Sequence, residues 1–119
     1  SHPLVVENRL QPDTLSPRML ALALDADQYP ASVESVRIDL RWYESGDYTV
    51  HYIESRAEGE WQCRWDRHPK PDAPQRHCHP PPDASADVEA TPLDAEYHIG
   101  VLFEVLDWVG ERVASLHDE

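Results

Sequence analysis

The chain has 119 residues, enough for one modest core and too few for a catalytic domain beside a separate regulatory one. Its apolar content of 40% and four tryptophans argue against a disordered chain. Acidic residues number 23 against 10 basic ones, a net charge of −13 that sets aside a broadly cationic nucleic-acid-binding surface.

Nine of the ten basic residues are Arg, and only Lys70 is Lys. A dense carboxylate surface with almost no lysine stays hydrated in molar salt, where screening removes most charge repulsion. A halophilic, archaeal host is therefore expected. The alternative is an acidic protein with a basic partner, but the acids are spread along the chain rather than gathered in a tail. No apolar run reaches the roughly 18 residues that span a bilayer, and no signal-peptide pattern is evident. The expectation is a cytoplasmic protein without membrane contact, whose Cys63 and Cys78 are free thiols.

A single domain over residues 1–119 is expected. Residues 1–14 set Leu4-Val5-Val6 between Pro3 and Pro12-Asp13, as in an N-terminal arm or an edge strand. Ser16-Pro17 then offers an N-cap and a proline at the first helical position, ahead of the apolar run from Met19 to Leu24. A short helix to about Asp27 is favoured, although such a run also fits a buried strand.

From Val33 the apolar period becomes two. Val36, Ile38, Leu40 and Trp42 alternate with Arg37, Asp39 and Arg41. After a turn at Glu44-Ser45-Gly46-Asp47, Tyr48, Val50 and Tyr52 alternate with Thr49 and His51. Ala57-Glu58-Gly59-Glu60 turns again, and Trp61, Cys63 and Trp65 alternate with Gln62, Arg64 and Asp66. Residues 33–66 thus read as an antiparallel meander of three or more strands. One face is apolar. The other carries Arg37, Asp39, Arg41, Thr49, His51, Gln62, Arg64 and Asp66.

Six prolines between Arg67 and Pro82 predict a long His/Pro-rich loop over residues 67–91. Thr91-Pro92-Leu93-Asp94 then resembles a helix start. Ile99, Leu102, Leu106, Val109, Val113 and Leu116 step by three and four, predicting an amphipathic helix over residues 92–117. Laid across the meander, it would bury Trp42, Tyr52, Trp61 and Trp65. The fold class expected is α+β: a meander packed against a C-terminal helix, with a short N-terminal helix.

Between Arg64 and His79 lie Arg64, Arg67, Lys70 and Arg76 against Asp66 and Asp72, a local net of +2 that leaves −15 on the remainder. His68, His77 and His79, three of the seven histidines, fall in the same stretch. A cationic, histidine-rich island in so acidic a chain suits a phosphate ligand. The bland alternative is a solvated proline-rich loop. Two chemistries fit the island. Histidines can serve as general base and acid on a ribose 2′-hydroxyl and the leaving 5′-oxygen while an arginine stabilises the phosphate. Alternatively, His77-x-His79 with His68, Cys78 or Cys63 can bind zinc. No second paired metal motif accompanies it, so no metal or other cofactor is expected. Trp65 is a candidate for stacking an unpaired base, and His51 for joining the site from the polar sheet face.

The string Arg64-Trp65-Asp66, the pair His68-Pro69 and the closing Arg76-His77-Cys78-His79 resemble the signature of TumE-like proteins, the toxins of type II toxin–antitoxin pairs. In that family a strand ending in Arg-Trp-Asp leads into a His/Pro-rich turn closing on His-His-x-His, followed by a C-terminal helix. The resemblance is close over residues 64–79 and extends by element order over residues 33–117. Two departures stand out. The family's Asn-Ala-Pro-His-His after the aspartate is here Arg67-His68-Pro69, with one histidine fewer, and Cys78 replaces another residue.

The resemblance implies a small cytoplasmic toxin, a ribonuclease, held inactive by a helix-turn-helix antitoxin encoded beside it. Arg64, Asp66, His68, His77 and His79 carry over as candidate catalytic residues. On this basis His77 and His79 are the expected acid/base pair of a metal-independent cleavage of single-stranded RNA, with His68 or His51 as substitute. Arg64 would contact the phosphate and Asp66 would orient a neighbour. Trp65, Arg67, Lys70, Arg76 and His51 would bind flanking RNA. The rival is a non-catalytic acidic module that binds a protein partner, or an antitoxin-like partner of a regulator. The sequence leaves a homodimer open.

Overall fold

The computed structural model describes residues 3–11, 18–68, 76–84, 89–91 and 93–118, with the backbone alone for residues 8–11. Seven strands follow one another in a single antiparallel sheet whose spatial order is the chain order: β1 (Val5–Gln11), β2 (Arg18–Leu24), β3 (Val33–Trp42), β4 (Tyr48–Arg56), β5 (Gly59–Arg67), β6 (Arg76–His79) and β7 (Glu89–Ala90). One helix, α1 (His98–His117), covers one face. The expected meander is β3 to β5, and the turns fall where they are expected. At Gly46 φ is +92°, a conformation that glycine adopts without a Cβ penalty.

The N-terminal helix expected after Ser16-Pro17 is absent from the described residues. Met19 to Leu24 lies in β2, and only a short 3-10 turn, Ala26–Gln28, follows. Leu22 and Leu24 face the core, and both neighbours pair with the strand, β1 on one side and β3 on the other. That ladder satisfies the backbone on both edges, whereas a helix of so few residues is costly to nucleate. Val5–Gln11 is an edge strand, one of the two forms expected for the N-terminal segment.

The loop expected over residues 67–91 is also corrected, since it holds β6 and β7. Arg76–His79 contains no proline and pairs along the free edge of β5. The helix begins later than Thr91-Pro92 predicts. Thr91 Oγ1 accepts from Leu93 N at 3.3 Å, but the N-cap is Tyr97. Glu104 accepts from the amides of Asp94 and Ala95 at 3.2 and 3.0 Å, and Arg76 donates to both their carbonyls at 3.4 and 3.0 Å. These bonds hold the segment out of the helix.

Val101, Leu102, Val105, Leu106, Val109 and Leu116 turn inward onto Ile38, Leu40, Val50, Tyr52, Cys63 and Trp65. Each large apolar side chain so buried contributes roughly 1.5–3 kcal/mol. Ile99, expected in the inward stripe, is half exposed. Trp108 joins the aromatic floor, edge-on to Tyr52 and Trp65 at centroid distances of 5.1 Å.

One charge sits inside this core. Glu54 is fully buried on the helix-facing side of β4 and accepts from Arg112 Nε and Nη2 at 2.9 and 3.0 Å, Arg56 Nη2 at 2.8 Å and Tyr52 at 2.5 Å. Tyr52 spends its hydrogen on Glu54, so Tyr29 donates to Tyr52 at 2.7 Å. The Arg112 guanidinium also lies 3.6 Å above the Trp61 ring centre.

Candidate functional site

The site is built by strand register. Directly opposed residues of antiparallel strands share a face. One row across the sheet is therefore Ala21, Asp39, His51, Arg64 and His79, and the next is Met19, Arg41, Thr49, Asp66 and His77. Both rows lie on the face away from α1. Met19, Asp39, Arg41, Thr49, His51, Arg64, Asp66 and His68 line an open pocket there of about 280 Å³.

Asp66 is the hub. Its carboxylate is almost fully buried, and Oδ2 accepts from Arg64 Nε at 3.0 Å. The same oxygen lies 3.0 Å from His79 Nε2 and 3.6 Å from His77 Nε2. His77 is fully buried and His79 nearly so. The His77 ring meets His68 edge-on at 4.7 Å and His79 at 5.2 Å. His68, half-buried, reaches the pocket wall. His51 faces the same pocket, with Nε2 2.6 Å from Gln62 Oε1. In the tautomer that donates this bond, Nδ1 keeps its lone pair.

Arg64, Asp66, His68, His77 and His79, singled out from the sequence, thus converge on one face, and His51 joins them. Three other candidates do not. Trp65 faces the helix at 5% exposure and packs on Trp108, so it is unavailable to stack a base. Arg67 and Arg76 share that helix-facing side, Arg67 held by Asp47 at 3.4 Å and Arg76 by carbonyl oxygens. Strand alternation assigns all three away from the pocket. Lys70 lies outside the described residues.

Arg41 and Thr49, on the predicted polar face but outside the sequence-derived candidates, also line the pocket. Their signal was parity: they share the face of His51 and Asp66. Glu54 and Arg112 were missed altogether. A carboxylate in step with Tyr48, Val50 and Tyr52 was the available clue, because a buried acid requires a cation. Burial pushes the Glu54 carboxyl up, but hydrogen bonds from Arg112, Tyr52 and Arg56 outweigh it and hold the group below the ordinary range.

The same register defines what the site can ligate. Asp66, His77 and His79 offer ligand atoms all within 4.8 Å of one another. The thiols take no part, because Cys63 faces the core and Cys78 packs against it from the same side. Both are free, and burial raises the Cys63 thiol to about 12 and Cys78 in the same direction.

The family model for Toxin TumE matches residues 1–113, and so takes in every strand and the helix to its last turn. The chain belongs to the TumE toxin family. The match extends the resemblance of residues 64–79 to nearly the whole chain. No curated protein and no solved structure gives a match. Among the described residues no helix is long and apolar enough to cross a membrane.

Proposed function

We propose that this TumE-family chain is the toxin of a type II toxin–antitoxin pair and a ribonuclease acting on single-stranded RNA at the pocket on its polar sheet face. The observation that carries this reading is the convergence of His51, His77, His79, Asp66 and Arg64 on one face through the register of β4, β5 and β6, with His68 joining them in the pocket wall. A helix-turn-helix antitoxin encoded beside it holds the toxin inactive.

The burial of His77 and His79 divides the labour. His51 and His68, which reach the pocket, act as the acid/base pair on the substrate. One removes the proton of a ribose 2′-hydroxyl as its oxygen attacks phosphorus. The other protonates the 5′-oxygen as the P–O5′ bond breaks, leaving a 2′,3′-cyclic phosphate and a 5′-hydroxyl. Arg64, pinned by Asp66, presents its guanidinium to the charge developing on the phosphate, and Arg41 lines the same pocket. His77 and His79 hold Asp66 in place from below. This route needs no metal ion.

The acid-rich, lysine-poor composition belongs to a halophilic, archaeal cytoplasm. There, molar salt shrinks the Debye length to about 3 Å or less, so the net charge of −13 repels RNA little and short-range contacts decide binding.

Expression of the chain alone should arrest growth, and the purified protein should cleave a single-stranded RNA to 2′,3′-cyclic phosphate ends. A 2′-deoxy substitution at the cleaved position should abolish the cut. Growth arrest without cleavage, or cleavage indifferent to the 2′-hydroxyl, would overturn the ribonuclease assignment.

A further inference from the structure

We infer that Asp66, His77 and His79 bind one divalent transition-metal ion of the zinc class, beneath the pocket. Two imidazole nitrogens and a carboxylate oxygen converge there from adjacent strands. Oδ2 lies 3.0 and 3.6 Å from the two Nε2 atoms. Ligands bonded at about 2.0–2.1 Å around a tetrahedral ion stand about 3.4 Å apart, between those two values. The rigidity is that of a β-ladder, because Asp66 and His77 are direct cross-strand partners and His79 is the next residue on the same face.

A second observation points to a ligand. Asp66 Oδ1 is buried and has no hydrogen-bond partner among the described residues. Arg64 neutralises the carboxylate from the Oδ2 edge only. A buried carboxylate oxygen left unsatisfied is unfavourable unless something coordinates it. An ion seated between Oδ2 and the two Nε2 atoms would have Oδ1 within reach as the second oxygen of the same carboxylate.

The donor set selects the ion. Two nitrogens and one oxygen without thiolate suit borderline divalent ions such as zinc and cobalt. Calcium and magnesium demand oxygen shells, and the thiols needed by softer ions lie on the other face. This replaces the zinc set open from sequence, His77 and His79 with His68, Cys78 or Cys63, with one built on Asp66. Three protein ligands leave a coordination position vacant, as in reactive rather than structural zinc sites. Asp66 also forms part of the pocket wall. If RNA is the substrate, a bound ion places a second positive centre beside Arg64. That role, unlike the binding itself, rests on the ribonuclease reading.

The full-length chain should bind one equivalent of Co²⁺ with visible d–d absorption, displaced by Zn²⁺. His77→Gln and His79→Gln should each weaken Co²⁺ affinity more than about a hundredfold, beyond the loss that outer-shell partners cause. Cys63→Ser and Cys78→Ser should leave it unchanged. Nitrogen-15 imidazole spectra of the unsubstituted chain supply a measurement independent of variant folding, in which Zn²⁺ should shift His77 and His79 Nε2 and spare His98. Absence of Co²⁺ binding, binding untouched in both histidine variants, dependence on Cys78, or shifts confined to other histidines would each overturn the site. RNA cleavage by a chain that binds no Co²⁺ overturns the metal site alone. Co²⁺ binding at the triad without RNA cleavage overturns the ribonuclease reading alone.

Discussion

His79 Nε2 stands 3.0 Å from Asp66 Oδ2, although the two residues occupy different strands and are not directly opposed in the ladder. The diagonal places both His77 and His79 on one carboxylate that also anchors Arg64. Asp66→Asn keeps the volume but removes the charge that orients all three. RNA cleavage should fall by about 10–100-fold, the usual cost of losing a carboxylate that orients a functional group. Single-turnover rates on a defined oligonucleotide measure it. An unchanged rate in a folded variant removes Asp66 from the mechanism.

His51→Ala and His68→Ala should each lower cleavage by about 10²–10⁴-fold and relieve growth arrest, as expected when a general acid or base is lost. Arg67→Ala is the contrasting control, since Arg67 bonds Asp47 on the helix-facing side and does not line the pocket. Its cleavage rate should stay near that of the parent chain. Loss of cleavage in Arg67→Ala comparable to that in His68→Ala would place the substrate on the wrong face here.

Arg112→Ala should destabilise the fold by about 3–5 kcal/mol, because it strands the buried Glu54 carboxylate with its helix partner gone. Urea unfolding followed by tryptophan fluorescence reads this directly, since the guanidinium lies over Trp61, which stacks with Trp108. A loss below about 1 kcal/mol, the value of a surface ion pair, would mean that water reaches Glu54.

The Glu54 carboxyl is held below the ordinary range in the folded state, so its contribution to stability has a defined sign. It is present above the unfolded value of about 4.3 and is lost as pH falls through the lower folded value. The stability difference between the parent chain and Glu54→Gln should therefore narrow on acidification below about pH 4. A difference that is constant or widens down to about pH 2 contradicts this linkage.

Burial raises the Cys63 thiol to about 12, so at neutral pH it is protonated as well as enclosed. Alkylation of the native protein should leave Cys63 unmodified and react slowly at half-buried Cys78, while denaturant exposes both. Peptide mapping after timed labelling distinguishes them. Rapid native labelling of Cys63 would show that the helix-facing core opens.

The meander and the helix were legible because their apolar periods, two and then three to four, each admit one amphipathic element. Leu20, Leu22 and Leu24 were not, since a six-residue apolar run carries no period that separates a strand from a helix turn. Prolines concealed β6. Pro74 and Pro80 flank Arg76–His79, and only the unpaired edge of β5 turns those four residues into a strand.

The Arg64–His79 stretch shows the same division. Composition alone marked it, as a local net of +2 with three histidines in a chain of −13, and the motif tied it to the TumE family. Alternation assigned Arg64 and Asp66 to the polar face and Trp65 to the core before any strand was paired. What no linear pattern contains is register. The pairing of Arg64 with His79 and Asp66 with His77 arises from backbone hydrogen bonds between strands that are not contiguous in the sequence. A slip of one residue would send both histidines to the helix side and bring Arg76 and Cys78 to the pocket. The chain therefore encodes which residue types the site contains, and the sheet decides which of them meet around Asp66.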